Sequence, residues 1–276
     1  MTTRTESGYA PVNGTRLYYE ITGQGHPLLF IHAGIADCRM WDPQWEALAD
    51  RFTLVRFDMR GFGRSEQPGV PCSLTDDLSS LLAYIGIDRP FVVGCSMGGS
   101  VAIDFALEYH EDVAALVAVS AGLSGYRHTD PNTLAQWEAI DAALARGDQA
   151  EGVELEVRMW VDGVGRMPAS VPAPVRERVR EMDLALRRRD DPELETKEIE
   201  PAAIGRLGEI SVPTLVVVGR HDQPGVLETA DLLVNGIKRA RKVELPDAAH
   251  LPNMEVPDRF NALLVEFLAG VQSTVS

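Results

Sequence analysis

One segment restricts the possible folds of this chain more than any other. Within residues 91–109, the apolar run FVVGC leads through a Gly-x-Ser-x-Gly motif, Gly94, Ser96 and Gly98, directly into a helical pattern. A serine in a sharp strand-to-helix turn presents its hydroxyl at the carboxyl edge of a sheet, and flanking glycines avoid collisions with neighbouring backbone. The segment predicts a strand, a tight turn and a helix, with Ser96 as a candidate nucleophile. The alternative is a glycine-rich turn whose serine takes part in no reaction.

Short apolar runs alternate with amphipathic stretches, which is typical of an α/β protein with a mostly parallel sheet. An opening hairpin is predicted at Asn13-Gly14, because this pair readily adopts the positive φ angles of a two-residue turn. Asp42, followed by Pro43, is expected to cap the first helix. Further helices are predicted over 74–85, after 224 and from 257. The remaining predicted strands are PLLFI (27–31), TLVRFD (53–58), AALVAVS (114–120), TLVVVG (214–219) and KVEL (242–245).

Between residues 122 and 205 the strand pattern fades and helical periods dominate. A loop between a strand and a helix usually has ~2 to 6 residues, so this segment is predicted to be an inserted helical cap. The expected organisation is a core formed by 1–121 and 206–276, with the cap at 122–205. One stretch of the cap, 153–161, fits a strand and a helix equally well.

A serine hydroxyl is a poor nucleophile near neutrality, so Ser96 requires a base and a carboxylate that orients the base. Asp222 follows the predicted strand TLVVVG, and His250 follows KVEL in the loop before the last helix. The order Ser, Asp, His, with each residue at the carboxyl side of a predicted strand, brings all three to the sheet edge where ligands bind. Taken singly, Asp222 could instead cap a helix, and His250 could be a loop histidine bonded to backbone.

Other residues compete for these roles. His221 adjoins Asp222, so their side chains diverge along the backbone and a working hydrogen bond between them is not expected. Cys95 precedes the turn residue and is better explained as a small buried side chain at a strand end. His128 is expected at the surface. His32 is expected to be a structural hydrogen-bonding residue rather than a catalyst.

An acyl-transfer site also needs donors for the developing oxyanion. The loop after PLLFI reads His32-Ala33-Gly34-Ile35, and a glycine there allows the backbone N–H to approach a substrate oxygen closely. The backbone N–H of Met97, directly after the nucleophile, completes the pair. Gly34 and Met97 are therefore the candidate oxyanion-hole residues.

Charge and composition exclude several classes of protein. The chain has 26 basic and 41 acidic residues, a formal charge of -15, which disfavours nucleic acid and anionic membranes as partners. No apolar run approaches the ~18 residues that span a bilayer, and the first residues lack the apolar stretch of a secretory signal. The three cysteines are few and widely spaced, which indicates neither a disulfide framework nor a metal cluster. A cytoplasmic protein with reduced cysteines is expected.

Several motifs, taken together and in order, resemble the α/β-hydrolase fold family over nearly the whole chain. They are HAGI at 32, DMRGFGRS at 58, GCSMGG at 94, VPTLVVVGRHDQP at 212 and AAHLPNMEVP at 248. The resemblance implies an eight-stranded, mostly parallel sheet flanked by helices, a helical cap after the sixth strand, no cofactor and no metal. It also implies Ser96, Asp222 and His250 as the catalytic triad. The motifs look most like those of 3-oxoadipate enol-lactonases and related carboxylesterases, although Ala33 and Gly34 depart from the usual His-Gly order.

The functional hypothesis is a serine hydrolase that cleaves a small-molecule carboxylic ester or lactone through an acyl-Ser96 intermediate. Two alternatives stay open. The same triad also fits a hydrolase or lyase acting on a carbon–carbon bond, and the capped pocket also fits a non-catalytic small-molecule sensor.

The cap has residues that could line a pocket or simply pack. The apolar candidates, with two from the core, are Met40, Trp41, Trp137, Met159, Trp160, Met167 and Met182. A purely structural role is at least as well supported for them. The basic run Arg187 to Arg189 is expected to solvate a helix face, with attraction of an anionic lactone as the alternative.

Overall fold

The computed structural model describes residues 5–275, except for the side chains of residues 274 and 275. Residues 1–4 and 276, which the sequence assigned to the core, lie outside the described residues. The centre of the structure is one eight-stranded sheet in the order β1-β2-β4-β3-β5-β6-β7-β8. β1 and β2 pair antiparallel, β2 pairs antiparallel with β4, and the remaining neighbours are parallel. The strands are β1 (Glu6–Val12), β2 (Thr15–Gly23), β3 (His26–Ile31), β4 (Phe52–Phe57), β5 (Phe91–Cys95), β6 (Ala115–Val119), β7 (Thr214–Gly219) and β8 (Ala240–Leu245).

The predicted hairpin and strands are confirmed. Asn13 and Gly14 have φ angles of 45° and 74°, as the turn between β1 and β2 requires. Along β5, Val92 packs with the helices on one face of the sheet and Val93 with those on the other. Strands buried on both faces read as continuous apolar runs, which is why these segments could be recognised.

Helices cover both faces of the sheet. α2, α3 and α7 share one apolar cluster with the sheet, and α1 and α9 share the other. The helices are α1 (Asp42–Leu48), α2 (Leu74–Ile85), α3 (Met97–Glu108), α4 (Pro131–Ala145), α5 (Gln149–Glu156), α6 (Ala173–Arg187), α7 (Pro224–Gly236), α8 (Pro252–Glu255) and α9 (Pro257–Val275). None of the helices within residues 5–275 combines the length and hydropathy that crossing a membrane requires.

The prediction that Asp42 caps α1 is wrong. A 3₁₀ turn, Cys38–Trp41, is capped by the Asp37 side chain and runs straight into α1, so Trp41 occupies the N-cap position. The Asp42 carboxylate instead accepts hydrogen bonds from Arg56 and Arg178, each at 2.6 Å. These tertiary ion pairs engage the Asp42 carboxylate, which is therefore not available to cap α1.

The segment between β6 and β7 contains α4, α5 and α6, and the predicted limits of the cap at 122 and 205 stay a prediction. Its ambiguous stretch is helical: α5 continues into a π-helical turn, Val157–Asp162, closed at Gly163 with a φ of 72°. π-helical turns are rare and often occur at functional sites. The turn buries Val157 and Val161 against the core.

Candidate active site

Ser96 occupies a strained turn between β5 and α3. Its φ of 54° and ψ of -115° are unusual for any residue other than glycine, and such strain persists only where the surrounding structure enforces it. Here the Ser96 N–H donates to the Val119 carbonyl at 3.0 Å, and the Ser96 carbonyl accepts from the N–H groups of Ser100 and Gly122. These bonds hold Ser96, which is partly exposed, at the carboxyl end of the sheet.

The glycines on either side of Ser96 are required by close backbone contacts. A Cβ atom at Gly94 would lie 2.1 Å from the Gly98 carbonyl oxygen, and one at Gly98 would lie 2.4 Å from the His32 carbonyl oxygen. Neither backbone oxygen can move without disturbing the turn. The motif therefore reflects the steric demand that the sequence predicted.

Asp222 and His250 are joined although 28 residues separate them. Asp222 follows β7 and His250 follows β8, and these strands are neighbours in the sheet. The His250 Nδ1 lies 2.9 and 3.0 Å from the two carboxylate oxygens of Asp222. Because an ionised carboxylate only accepts, Nδ1 carries the hydrogen and Nε2 keeps a lone pair. Both side chains are almost fully buried.

Ser96 and His250 line the same cavity, of about 250 Å³. The core contributes these two residues together with Gly34 and Ile35. The cap contributes Trp137, Glu156, Trp160 and Arg187. The structure thus brings the predicted nucleophile and base to one cavity, with Asp222 behind the base.

The cap holds the His250 loop directly. The His250 N–H donates to the Trp160 carbonyl at 3.2 Å, and the Trp160 ring lies 4.4 Å from the imidazole, tilted by 36°. The same π-helical turn also contacts the loop of Asp222. The Met159 carbonyl accepts a hydrogen bond from Nε2 of Gln223, the residue after Asp222, at 2.8 Å. One turn of the cap therefore positions the loops that carry the acid and the base.

A buried carboxylate also fixes the His250 loop. Glu255 accepts from the N–H groups of Ala249 and Leu251, the two neighbours of His250. Burial raises the pKa of Glu255, and the guanidinium of Arg166, 2.5 Å away, opposes that rise. Arg166 follows the π-helical turn in the chain, so this ion pair is a second link between cap and loop.

The competing residues take other positions. The His221 Nδ1 lies 3.1 Å from the Val164 carbonyl rather than beside Asp222. The Cys95 thiol is buried and points to the His250 carbonyl at 3.7 Å, and burial raises its pKa well above the usual value. His32 is fully buried and accepts from the Met59 N–H through Nε2 at 2.9 Å.

His128 differs from its expectation as a surface residue. Its ring is partly buried, with Tyr126 and Trp137 at centroid distances of 4.9 and 4.7 Å, both edge-on. Burial lowers its pKa. His128 lies in the loop before α4 and Trp137 lies within α4, and no spacing pattern indicated that the two rings would meet.

Gly34 and Met97 are both near the candidate nucleophile. Gly34 lines the cavity with Ser96, and Met97 is the first residue of α3, where a backbone N–H has no acceptor one turn earlier in the helix. The positive end of the helix dipole lies at the same point. The assignment of the two N–H groups to an oxyanion hole stays a prediction.

The apolar residues considered for a pocket divide into three groups. Trp137 and Trp160 line the cavity, whereas Met167 is 71% exposed. The remaining four are buried core residues: Met40, Trp41, Met159 and Met182. Packing onto the core therefore explains most of them.

Two polar residues of the cavity were not identified as a pair from the sequence. Arg187 was expected on a solvated helix face, but it lines the cavity and pairs with the buried Glu156 at 2.7 Å. Glu156 was not singled out at all. Glu156 and Arg187 belong to two different helices, so no regular spacing in the sequence indicates that they form a pair.

The side chains best arranged for a metal are already engaged. Asp37, Cys38 and Asp58 place one ligand atom each within 4.8 Å of one another. Asp37 binds Arg39, and Asp58 accepts from the N–H groups of Cys38 and Arg64. Burial raises the pKa of the Cys38 thiol. These groups stabilise the turn through hydrogen bonds, and the cysteine resists the deprotonation that metal binding needs.

Comparison with known proteins agrees with this geometry. A model of the family described as alpha/beta hydrolase fold matches residues 26–257. The chain belongs to this family. This alpha/beta hydrolase is 31% identical over 287 residues to the putative carbamate hydrolase RutD of Azorhizobium caulinodans, covering 95% of this chain and 98% of the relative.

Solved structures similar to this alpha/beta hydrolase include an esterase and a lactonase. A thermophilic esterase from Thermogutta terrifontis superposes with a TM-score of 0.76 and 27% identity, covering 96% of this chain and 99% of the esterase. The enol-lactonase from Burkholderia xenovorans LB400 superposes with a TM-score of 0.74 and 26% identity, covering 95% and 100%. The expected fold class, an eight-stranded mostly parallel sheet with flanking helices, is confirmed, and the protein is a member of a hydrolase family.

Proposed function

We propose that this alpha/beta hydrolase cleaves a carboxylic ester or lactone through an acyl-Ser96 intermediate. The observation that supports the proposal most is the pairing of His250 Nδ1 with Asp222 at 2.9 Å, in the wall of a cavity that Ser96 also lines. A general base held in one tautomer beside a strained serine is the arrangement that acyl transfer needs. The similar esterase and enol-lactonase structures support the same substrate class.

The proposed reaction has two halves. The Ser96 Oγ attacks the carbonyl carbon while His250 Nε2 takes its proton, and the N–H groups of Gly34 and Met97 bind the oxyanion. Collapse of the tetrahedral intermediate breaks the ester bond, and His250 returns the proton to the departing alkoxide. Water then attacks the acyl-Ser96 carbonyl in the same way and releases the acid. Asp222 orients the imidazole and stabilises its charged form.

The first test replaces the nucleophile. With 4-nitrophenyl butyrate as substrate, Ser96→Ala is expected to lower kcat by ~10⁴-fold or more. Ser100→Ala is the matched control, because it makes the same chemical change one helical turn away, and it should retain activity. Equal rates for wild type and Ser96→Ala would refute the proposal. Fluorophosphonate labelling should depend on Ser96; labelling that persists in Ser96→Ala would identify another nucleophile.

A second test separates linear esters from lactones. The enzyme is assayed by pH-stat titration against simple alkyl esters, acyl-homoserine lactones and enol-lactones at equal concentration. Each hydrolysis releases one acid, so the rates compare directly. Turnover of neither class, with wild-type protein that is folded, would refute the assignment to esters and lactones.

A further inference from the structure

Two charged side chains in the cavity have no part in the proposed reaction. Glu156 ends α5 and Arg187 ends α6, and both line the cavity with Ser96 and His250. Charged groups in a cavity beside a candidate nucleophile affect which substrates bind there. Their partners therefore decide what charge the cap presents to a substrate.

Arg187 is held by two carboxylates. Its Nη2 donates to Glu156 Oε1 at 2.7 Å, and its Nε donates to Asp183 Oδ1 at 3.2 Å. The side chains of Asp183 and Glu156 are 0% and 10% exposed, whereas that of Arg187 is 30% exposed. The guanidinium is thus fixed from behind and still accessible. These two contacts use two of its five N–H groups, leaving three for another acceptor.

The positions of the two carboxylates favour a proton on Asp183. Glu156 Oε2 and Asp183 Oδ2 are both buried, and neither has a hydrogen-bond partner unless one of the carboxyl groups is protonated. Burial, followed by the nearby Glu156, raises the pKa of Asp183. A proton on Asp183, donated to Glu156, satisfies both oxygens at neutral pH. The net charge of Asp183, Glu156 and Arg187 is then zero rather than -1.

We propose that Arg187 forms a subsite for a carboxylate group of the substrate, opposite the reacting ester or lactone. This inference rests on the proposed function. A neutral cluster does not repel an anion, and the free edge of a guanidinium matches the two oxygens of a carboxylate. The other cap residues of the cavity, Trp137 and Trp160, are largely apolar. Their rings reduce the competition of water with a substrate carboxylate for Arg187. One arginine, already paired with Glu156, suits a monoanion better than a phosphate dianion.

The test compares matched substrates with the same leaving group. The mono-4-nitrophenyl esters of succinate, glutarate and adipate bear a free carboxylate at three distances, and their methyl esters are the neutral counterparts. The measured quantity is the ratio of kcat/KM between each anionic ester and its neutral counterpart at pH 7. Because both substrates meet the same enzyme preparation, partial unfolding of a variant cancels in the ratio.

For at least one chain length, wild type should prefer the anionic ester, and Arg187→Gln should lower the ratio by ~10- to 100-fold, as expected for a charge-assisted hydrogen bond. Arg187→Lys, which keeps the charge and loses the planar edge, should fall between them. Asp183→Asn, which copies the neutral acid, should keep the preference. Arg188→Gln is the matched control, an exposed neighbour with the same charge change. An Arg187→Gln ratio equal to that of wild type, or no preference in wild type, would overturn the proposal.

A binding measurement separates this proposal from the esterase proposal. Glutarate is titrated into Ser96→Ala, and binding is followed by the fluorescence of Trp137 and Trp160, which line the cavity. Saturable quenching that is lost in Ser96→Ala/Arg187→Gln supports the carboxylate subsite even if no ester is hydrolysed. Titrations that are identical with and without Arg187 would refute the subsite and leave the esterase proposal standing.

Discussion

The cavity has two walls that are built in different ways. In the core wall, Ser96 and His250 stand at the carboxyl ends of parallel strands, where backbone hydrogen bonds and close glycine contacts place them. In the cap wall, Trp160 and Arg187 are placed by packing and by ion pairs between helices. The core wall is set by backbone geometry and the cap wall by side chains. The difference implies that chemistry is anchored in the core and selectivity in the cap.

The two walls are nevertheless connected. Two carbonyls of the π-helical turn accept hydrogen bonds from the core. The Met159 carbonyl accepts from Gln223, next to Asp222. The Trp160 carbonyl accepts from the N–H of His250. Arg166 reaches across to Glu255 behind the same loop. The cap therefore does more than cover the cavity. It is expected to affect the positions of catalytic groups that belong to the core.

The largest effect is expected from the carboxylate of the core wall. Asp222→Asn keeps the size of the side chain but removes the charge and allows the wrong imidazole tautomer, so kcat should fall by ~10⁴-fold. Initial rates with 4-nitrophenyl butyrate measure the effect. Asp247→Asn, an exposed change in the same loop as His250, is the control and should keep wild-type rates. A drop of less than tenfold for Asp222→Asn would mean that the core wall does not operate as a triad.

The strained turn at Ser96 should respond to a single methyl group. Gly98→Ala places a Cβ 2.4 Å from the His32 carbonyl, so the free energy of unfolding should fall by about 3 kcal/mol or more. Gly208→Ala is the control, because a Cβ there meets no atom within 4 Å. Urea denaturation compares the two variants. Similar midpoints would show that the backbone around Ser96 adapts, contrary to a rigid core wall.

A cap residue should change the catalytic rate without touching the reacting atoms. Trp160→Leu removes the ring that lies against the imidazole of His250, and a misplaced base should lower kcat by ~10- to 100-fold. Trp160→Phe should restore much of the rate, and it should return the pH profile of kcat toward that of wild type. Trp45→Leu, a partly buried tryptophan that stacks on Arg56, is the control. If Trp160→Leu affected only stability, the cap would merely cover the site.

The smallest effect concerns the stability of the protein and involves Asp104, a half-buried residue of α3. Burial, and then repulsion by Glu108 and Glu198, raises the pKa of Asp104 to about 7, while Arg206 opposes the rise. Between about pH 4 and 7 the folded protein therefore binds more protons than the unfolded chain, and stability falls as pH rises. Asp104→Asn has no carboxyl group to titrate, so it removes this fall of stability with rising pH. Because Asp104 is partly exposed, the variant should gain only about 1–3 kcal/mol at pH 8.

The Asp104 prediction is checked by denaturation at pH 4 and pH 8. The advantage of Asp104→Asn should appear at pH 8 and largely vanish near pH 4. Asp112→Asn, an exposed change just beyond α3, should show no such dependence. A parallel pH response of wild type and Asp104→Asn would contradict the assigned pKa. Catalytic rates should be similar in all three proteins, since Asp104 lies outside the cavity of Ser96.

Much of the core could be predicted because its signals are local. The hairpin at Asn13-Gly14 depends on backbone preferences of two adjacent residues, and the turn at Ser96 depends on glycines two positions away. Asp222 and His250 could be proposed because each follows a recognisable strand. Where a local signal competed with a tertiary partner, as at Asp42, the local interpretation failed. An ion pair with Arg56 was not visible in the spacing.

The succession of strands along the chain, the sharp turn at Ser96 and the three candidate catalytic residues could be predicted from the sequence alone, since each depends on short-range sterics and on the rule that parallel strands end at one edge. Only the tertiary structure decided that Trp160 lies against His250, that Glu156 and Asp183 both pair with Arg187, and that Arg187 lines the cavity. Those contacts join separate elements of the chain, and their energies depend on burial. A charged side chain such as Arg187 can discriminate between substrates only where folding shields it partly from water.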